Sequence, residues 1–338
     1  MEFLWEPCKI GKIEGARILR VLGEDSQAEI PEEIWENREC TKKLPVIELG
    51  DYVFSSMMRK EPERNPDLAD IPPVCGDKLE SVTLPRSLIR IGRYGFYNCE
   101  KLKKVTFWST IKDLGAGLFT GCRSIEELDI SMMEGEKSCL PEMLAELNQM
   151  IRLTFRTGTG EIYAKLLVPE FFEESIENTP ARILVLETHG CGHRYRYCFR
   201  QTQFQMMEYD ALFPYVCVEE KPEITAELSW YRLQYPIQLS ETSRKQYLEY
   251  INQHPVSAMT AFARIQDMRL LGRIALEESM EEETLAAMAE EAAKQGQAEA
   301  VTVLMNARQT KGRKDSYGKD GADKPQPAPA AKKRKFEL

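Results

Sequence analysis

No run of 18 consecutive apolar residues occurs anywhere in the 338-residue chain, which excludes a membrane-spanning helix. Histidine is scarce, with only His189, His193 and His254. The phosphate-cradling glycine patterns, the Gly-x-Ser-x-Gly elbow and the His-Glu-x-x-His metal helix are all missing. With 54 Asp and Glu, spacing singles out no acid/base pair. These absences predict a protein that is not an enzyme and needs no cofactor. The start, Met1 to Pro7, has neither a basic segment nor a long apolar one, so no secretory signal is expected. Nine cysteines, an odd number scattered through the chain, argue for free thiols in a reducing compartment, and the expected location is cytoplasmic.

What is present suits a folded chain of two or three domains. At 43% hydrophobic and 29% charged, it holds enough apolar surface for a sizeable core. The net charge of −9 is unevenly placed. Residues 311–338 carry nine Lys and Arg against four Asp and Glu, which leaves −14 on residues 1–310. An acidic body makes nucleic-acid binding an unlikely general role, because phosphates require Lys and Arg. The tail is rich in Lys, Gly, Pro and Ala and is expected to be disordered. Its cluster Lys332-Lys333-Arg334-Lys335 reads either as a nuclear import signal or as a solvated end, with the second favoured.

Internal repeats dominate the first half. Leu49-Gly-Asp-Tyr-Val-Phe54, Ile91-Gly-Arg-Tyr-Gly-Phe96 and Leu114-Gly-Ala-Gly-Leu-Phe119 share apolar–Gly–three residues–Phe. Cys99 and Cys122 each follow their Phe by three residues. A second pattern recurs at Leu79/Val82/Leu84, Leu102/Val105/Phe107, Ile125/Leu128/Ile130 and Met150/Leu153/Phe155. Its starts lie 23, 23 and 25 residues apart. Such spacing describes a solenoid, in which each unit adds one short strand and a turn and buries its apolar face on its neighbours. The glycines are expected to permit close backbone approach. Phe54, Phe96 and Phe119 should stack inside, and Cys99 and Cys122 should form a buried thiol ladder. Residues 57–76, with four prolines, read as an insertion.

The stretch Leu79-Glu-Ser-Val-Thr-Leu-Pro-Arg-Ser-Leu-Ile-Arg-Ile-Gly-Arg-Tyr-Gly-Phe-Tyr-Asn-Cys99 resembles a repeat of the BspA-type leucine-rich-repeat family. Ile30 to Ile34 and Leu44 to Gly50 resemble that family's entry segment, so the resemblance spans roughly residues 15–156. It implies a curved solenoid that binds other proteins and has no catalytic residues. From the repeat itself, the side chains between the inward positions form two columns. One is Ser81, Lys104, Glu127 and Arg152; the other is Thr83, Thr106, Asp129 and Thr154. They are either a solvated sheet face or a binding face for a protein partner.

Beyond residue 156 the repeat ends. Ala164–Pro169 and Ala181–Glu187 read as strands, and Pro169–Glu177 between them as a short helix. His189, Cys191 and His193 would share one side of an extended strand, a candidate zinc site or, alternatively, an incidental cluster at a glycine turn. Residues 194–200, arginines at even positions and aromatics at odd ones, read as a half-buried strand. Helical periodicity follows at 223–235, 242–253, 256–271, 280–295 and 297–309. Ser279-Met-Glu-Glu282 reads as a capping box, and Gly296 as a stop. Leu285, Met288, Ala289 and Ala292 face Val301, Leu304 and Met305 across that turn. This helix pair resembles ankyrin-like helical repeats, without their turn signature.

The expected fold class is therefore α+β multidomain. A leucine-rich-repeat solenoid (1–156) precedes an α+β segment (157–221), a helical module (222–310) and a disordered basic tail (311–338). The expected function is non-enzymatic binding of a protein partner through the strand columns. The alternative is a zinc protein or enzyme using His189, Cys191 and His193.

Overall fold

The structure, a computed structural model, describes residues 1–36, 42–58, 60–64, 66–135, 137–178, 183–200, 203–277 and 279–319. The chain divides into two compact units, Met1–Ile251 and Asn252–Leu338.

The first unit opens on an antiparallel hairpin, β1 (Glu2–Ile10) and β2 (Ile13–Leu22), turned at Gly11 with φ 59°. Two short strands follow, β3 (Gln27–Glu29) and β4 (Glu33–Trp35), then β5 (Lys43–Leu49), parallel to β2. The repeats contribute β6 (Ser81–Thr83), β7 (Arg90–Ile91), β8 (Lys104–Trp108), β9 (Asp113–Leu114), β10 (Glu127–Ser131) and β11 (Ile151–Arg156). Alternate strands enter different sheets. One sheet runs β1-β2-β5-β7-β9, with β4 attached to β5. The other runs β3-β6-β8-β10-β11 and is closed by β12 (Ile162–Val168), antiparallel to β11. A short helix, α1 (Leu140–Ala145), precedes β11.

The repeat pattern explains this arrangement directly. Val82, Leu84, Val105, Phe107, Leu128, Ile130 and Leu153 are buried between the sheets, as period-two alternation requires. The Gly–Phe segments stack coil on coil through backbone bonds, Tyr94 N–H to Ala116 O and Phe96 N–H to Leu118 O. A Cβ on Gly92 would sit 2.6 Å from the Asp51 nitrogen, and one on Gly115 only 2.1 Å from that of Arg93. Only glycine lets successive coils approach so closely. Phe54, Phe96 and Phe119 form a stacked column, with centroids 5.2 and 5.6 Å apart. The Cys99 thiol donates to the Phe54 carbonyl, and Cys122 repeats that bond to Phe96 one coil later. Neighbouring Cys122 and burial push the Cys99 thiol well above the ordinary range.

Past β12 come β13 (Phe172–Asn178) and β14 (Ile183–His189), an antiparallel pair. Then follow α2 (Gly192–Arg196), β15 (Phe199–Arg200), β16 (Gln203–Phe204), α3 (Met206–Ala211), α4 (Phe213–Glu219), α5 (Pro222–Gln234) and α6 (Glu241–Gln253). The second unit holds α7 (Pro255–Ile265), α8 (Met268–Ala275), α9 (Glu282–Lys294) and α10 (Ala298–Lys319).

Several local expectations are corrected. The helix expected over 169–177 is instead mostly β13, because cross-strand pairing with β14 supplies its backbone partners, and Pro169 merely follows β12. The strand expected over 194–200 is for the most part α2 and a turn. Gly190, at φ 85°, redirects the chain, and the adjacent Tyr195 and Arg196 are both buried, which a strand facing water on one side would not allow. The helix expected over 256–271 breaks in two at Gln266, whose φ is 51°, and Asp267 caps the second half by accepting from Leu270 N–H. The capping box at Ser279 does not form, since Glu281 takes the N-cap position without a side-chain bond. Leu285, Met288, Ala292 and Leu304 are buried as expected, whereas Met305 is exposed and Ala300 and Ala307 line the inner stripe instead. The disorder expected from 311 gives way, over 311–319, to a continuation of α10. Residues 320–338, including the Lys332–Lys335 cluster, lie outside the described residues.

Truncating Phe96 to Ala should cost about 3–5 kcal/mol, because both stacked neighbours lose their partner. Gly115→Ala should cost about 1–3 kcal/mol by forcing adjacent coils apart. Urea unfolding monitored by circular dichroism measures both.

Candidate functional site

Strand register brings the two expected columns together. Ser81 pairs with Lys104, Lys104 with Glu127 and Glu127 with Arg152, while Thr83, Thr106, Asp129 and Thr154 align one rung further on. Gln27 and Glu29 of β3 extend the two columns on the other side. Accessibility, however, is lost toward β11. Arg152 is only 8% exposed, because its guanidinium forms a two-pronged bond to Glu227 of α5, at 2.6 and 2.9 Å. Asp129 is buried as well and holds Arg156 in a matching pair at 2.7 and 2.9 Å. These two members of the columns are therefore internal structure, not open face. Thr83 and Glu127 are exposed; Ser81, Lys104, Thr106 and Thr154 are half-buried.

A broader concave surface lies on the other sheet, and sequence reading missed it. Parallel register aligns Arg17, Glu48, Arg90 and Asp113 across β2, β5, β7 and β9. Arg17 bridges Glu6 and Glu48 at 2.7 and 3.0 Å, and Arg90 reaches Asp113 at 2.8 Å. One rung on, Asp51 accepts from both the backbone and the side chain of Arg93. Phe3 and Trp5 of β1 and Tyr52 supply apolar walls, and Met58, Lys60, Glu61, Pro62 and Glu63 of the insertion form another. The cleft, open to solvent, measures about 1290 Å³. Gly50, Gly92 and Gly115 lie along it, with their N–H groups bonded to the carbonyls of Ile18, Leu49 and Ile91 on the preceding coil. Arg20 fastens the insertion wall. It is buried, donates to the carbonyls of Tyr52, Val53 and Ser55, and bonds Glu61 at 2.8 Å. The legible signal was a charge at the same offset before each Gly: Glu48, Arg90 and Asp113.

The histidine–cysteine cluster does not converge. The His189 ring stacks on Phe172 at 4.7 Å, and its Nε2 lies 3.5 Å from Glu174. His193 sits edge-on to Phe171 and Tyr197. Cys191 is buried beside Glu220, and burial with that carboxylate pushes its thiol up. Among the described residues no three His, Cys, Asp or Glu side chains are grouped to hold a metal ion. The extended geometry that would have aligned the three is absent because Gly190 turns the chain.

A buried polar group at α5 also escaped the sequence reading. Arg232 forms a two-pronged pair with Asp210, and Asp210 also accepts from Tyr247 Oη at 2.7 Å. Thr225 to Leu233 are buried without a break, so Glu227 and Arg232 are charges inside a helix enclosed on every side.

Residues 74–167 match the family model described as BspA type leucine rich repeat region, in six copies. The chain is similar to a leucine rich cell surface protein from Faecalibacterium prausnitzii A2-165, at 17% identity over 45% of this chain and 42% of that one, with a TM-score of 0.23. It is also similar to a leucine-rich repeat protein from Bacteroides capillosus, at 16% identity over 37% and 97%, TM-score 0.23. A third is the leucine rich repeat protein of T. pallidum, at 21% identity over 38% and 68%, TM-score 0.19. The chain thus spans under half the length of the first of these. No curated protein matches.

Two outcomes are expected. Glu227→Gln should destabilise the first unit by about 3–5 kcal/mol, by leaving Arg152 buried without its counter-charge; replacing both partners with apolar residues should cost much less in the same denaturation assay. Among the described cysteines, iodoacetamide at mildly alkaline pH should label exposed Cys217 first. Cys139 and Cys198, whose thiols burial pushes up to about 12, should react only on unfolding, as peptide mass spectrometry will show.

Proposed function

We propose, from residues 74–167 being BspA-type leucine-rich repeats, that the chain is a non-enzymatic interaction module whose stacked coils form a solenoid that binds a protein partner. The observation that carries this reading is the cleft over the first sheet. Its charges are paired along the floor, while Trp5, Tyr52 and Phe3 supply half-buried aromatic surface beside them. Such a mixture suits a segment of a partner protein held chiefly by aromatic contact. A concave surface on a rigid stack needs little reordering on binding.

The face of the second sheet is a second reading. Glu29, Thr83 and Glu127 are exposed there on β3, β6 and β10, on the β3 side of the Arg152–Glu227 pair. Arg152 and Asp129 take no part, being committed to internal pairs. A cytoplasmic location is proposed with the function, supported by Cys99 and Cys122 serving as thiol donors inside the core.

The two faces separate in one experiment. Affinity capture from lysate, quantified by mass spectrometry, compares the wild type with Trp5→Ala/Arg93→Ala and with Thr106→Lys/Glu127→Lys. A near-stoichiometric protein lost only with the first pair assigns the cleft; loss only with the second assigns the strand face. Retention by both variants, with unfolding transitions unchanged, rejects both surfaces.

A further inference from the structure

Four arginines are buried in the described residues: Arg20, Arg152, Arg196 and Arg232. Three of them meet a carboxylate, Glu61, Glu227 and Asp210 respectively. Arg196 meets none among the described residues. Its guanidinium donates instead to four carbonyls, those of Leu147, Pro169, Gly192 and Gln149, at 2.6–2.9 Å. Four of its five N–H groups are thereby used, and its positive charge has no counter-ion among the described residues. Burial accordingly lowers its pKa to about 10.

This arginine lines a cavity of about 310 Å³. Phe171 lies 4.8 Å from the guanidinium carbon, and Tyr197 and Phe199 complete an aromatic wall. His193 stands on the same wall and donates an N–H in either tautomer. Ala145, at the exposed end of α1, borders it. A volume at the lower end of small-ligand pockets, aromatic walls and one uncompensated cation describe a single chemistry.

We propose that this cavity binds a small aromatic carboxylate. The carboxylate supplies the counter-charge that Glu61, Glu227 and Asp210 give to Arg20, Arg152 and Arg232 and takes the remaining N–H, while the ring packs against Phe171, Tyr197 and Phe199. A neutral ligand of the same shape lacks the charge-assisted bond and binds more weakly. The site stands apart from the cleft and does not depend on how a protein partner binds.

The test uses the full chain and three probes, benzoate, phenylacetate and indole-3-acetate, each beside its neutral amide, followed by ligand-observed saturation-transfer NMR and calorimetry. Saturable binding of at least one acid, at least about tenfold tighter than its amide, is expected. Because Arg196 ties Leu147, Gln149 and Pro169 to its own helix, its replacement threatens folding, so the blocking variant is Ala145→Trp, which fills the cavity mouth from an exposed position. It should keep the wild-type unfolding transition and lose the acid. Absence of saturable binding for all three acids overturns the proposal. Equal affinity for acid and amide, or undiminished binding by Ala145→Trp, does so too.

Discussion

A stack of parallel repeat strands ends on unpaired backbone, and the burial of that end governs the first unit. Here β12 turns back antiparallel to pair with β11, and α5 lies against β12. Placing a helix there encloses Arg152, a side chain that would otherwise stand on an open sheet face. Glu227 matches it with two short bonds. The same helix carries Arg232, which needs Asp210 of α3, and Asp210 in turn fixes Tyr247 of α6. Each charge enclosed in a low-dielectric interior requires a partner, so the pairs set which helices surround α5. The helices after the repeats therefore act as a cap joined to the repeats by charge as well as by apolar contact.

Within the repeats a different constraint operates. Coils packed closely enough for Phe54, Phe96 and Phe119 to stack near 5 Å leave no room for side chains at the intervening glycines. That spacing also aligns residues of like position into columns, which makes the sheet faces periodic. On the first sheet the columns alternate in sign and satisfy themselves. Charges that are already paired contribute orientation more than affinity, so the proposed contact in the cleft rests on its aromatic surface. Arg20 has a related part, since it ties the insertion to the rim through Glu61 and so shapes a wall that the repeat pattern alone does not provide.

The repeat region was legible because its signal is local and recurs. Apolar alternation gave the strands, and the Gly–Phe spacing gave the turns and the aromatic column. Register followed too, since a fixed period of 23 residues places Ser81, Lys104 and Glu127 side by side. The middle segment was not legible for the opposite reason. Its Arg–aromatic alternation from 194 matches a strand, yet Gly190 turns the chain and the carbonyls of Leu147, Gln149 and Pro169 surround Arg196. Those acceptors come from residues up to 49 positions away. The Pro169 cue for a helix was likewise overridden by pairing with a strand beyond it.

The sequence by itself thus determined the repeat architecture, the buried phenylalanine and thiol ladders and the inward and outward faces of the strands, because period and side-chain size decide these without distant partners. Only the tertiary structure decided which outward residues stay outside. Arg152 and Asp129 stand in the same columns as Lys104 and Thr106, but whether a column position is covered depends on α5 and on Arg156, and nothing in the repeat encodes them. The cleft and the Arg196 cavity belong to the same class. Each is formed where segments far apart in sequence meet, and a concavity is a property of that meeting.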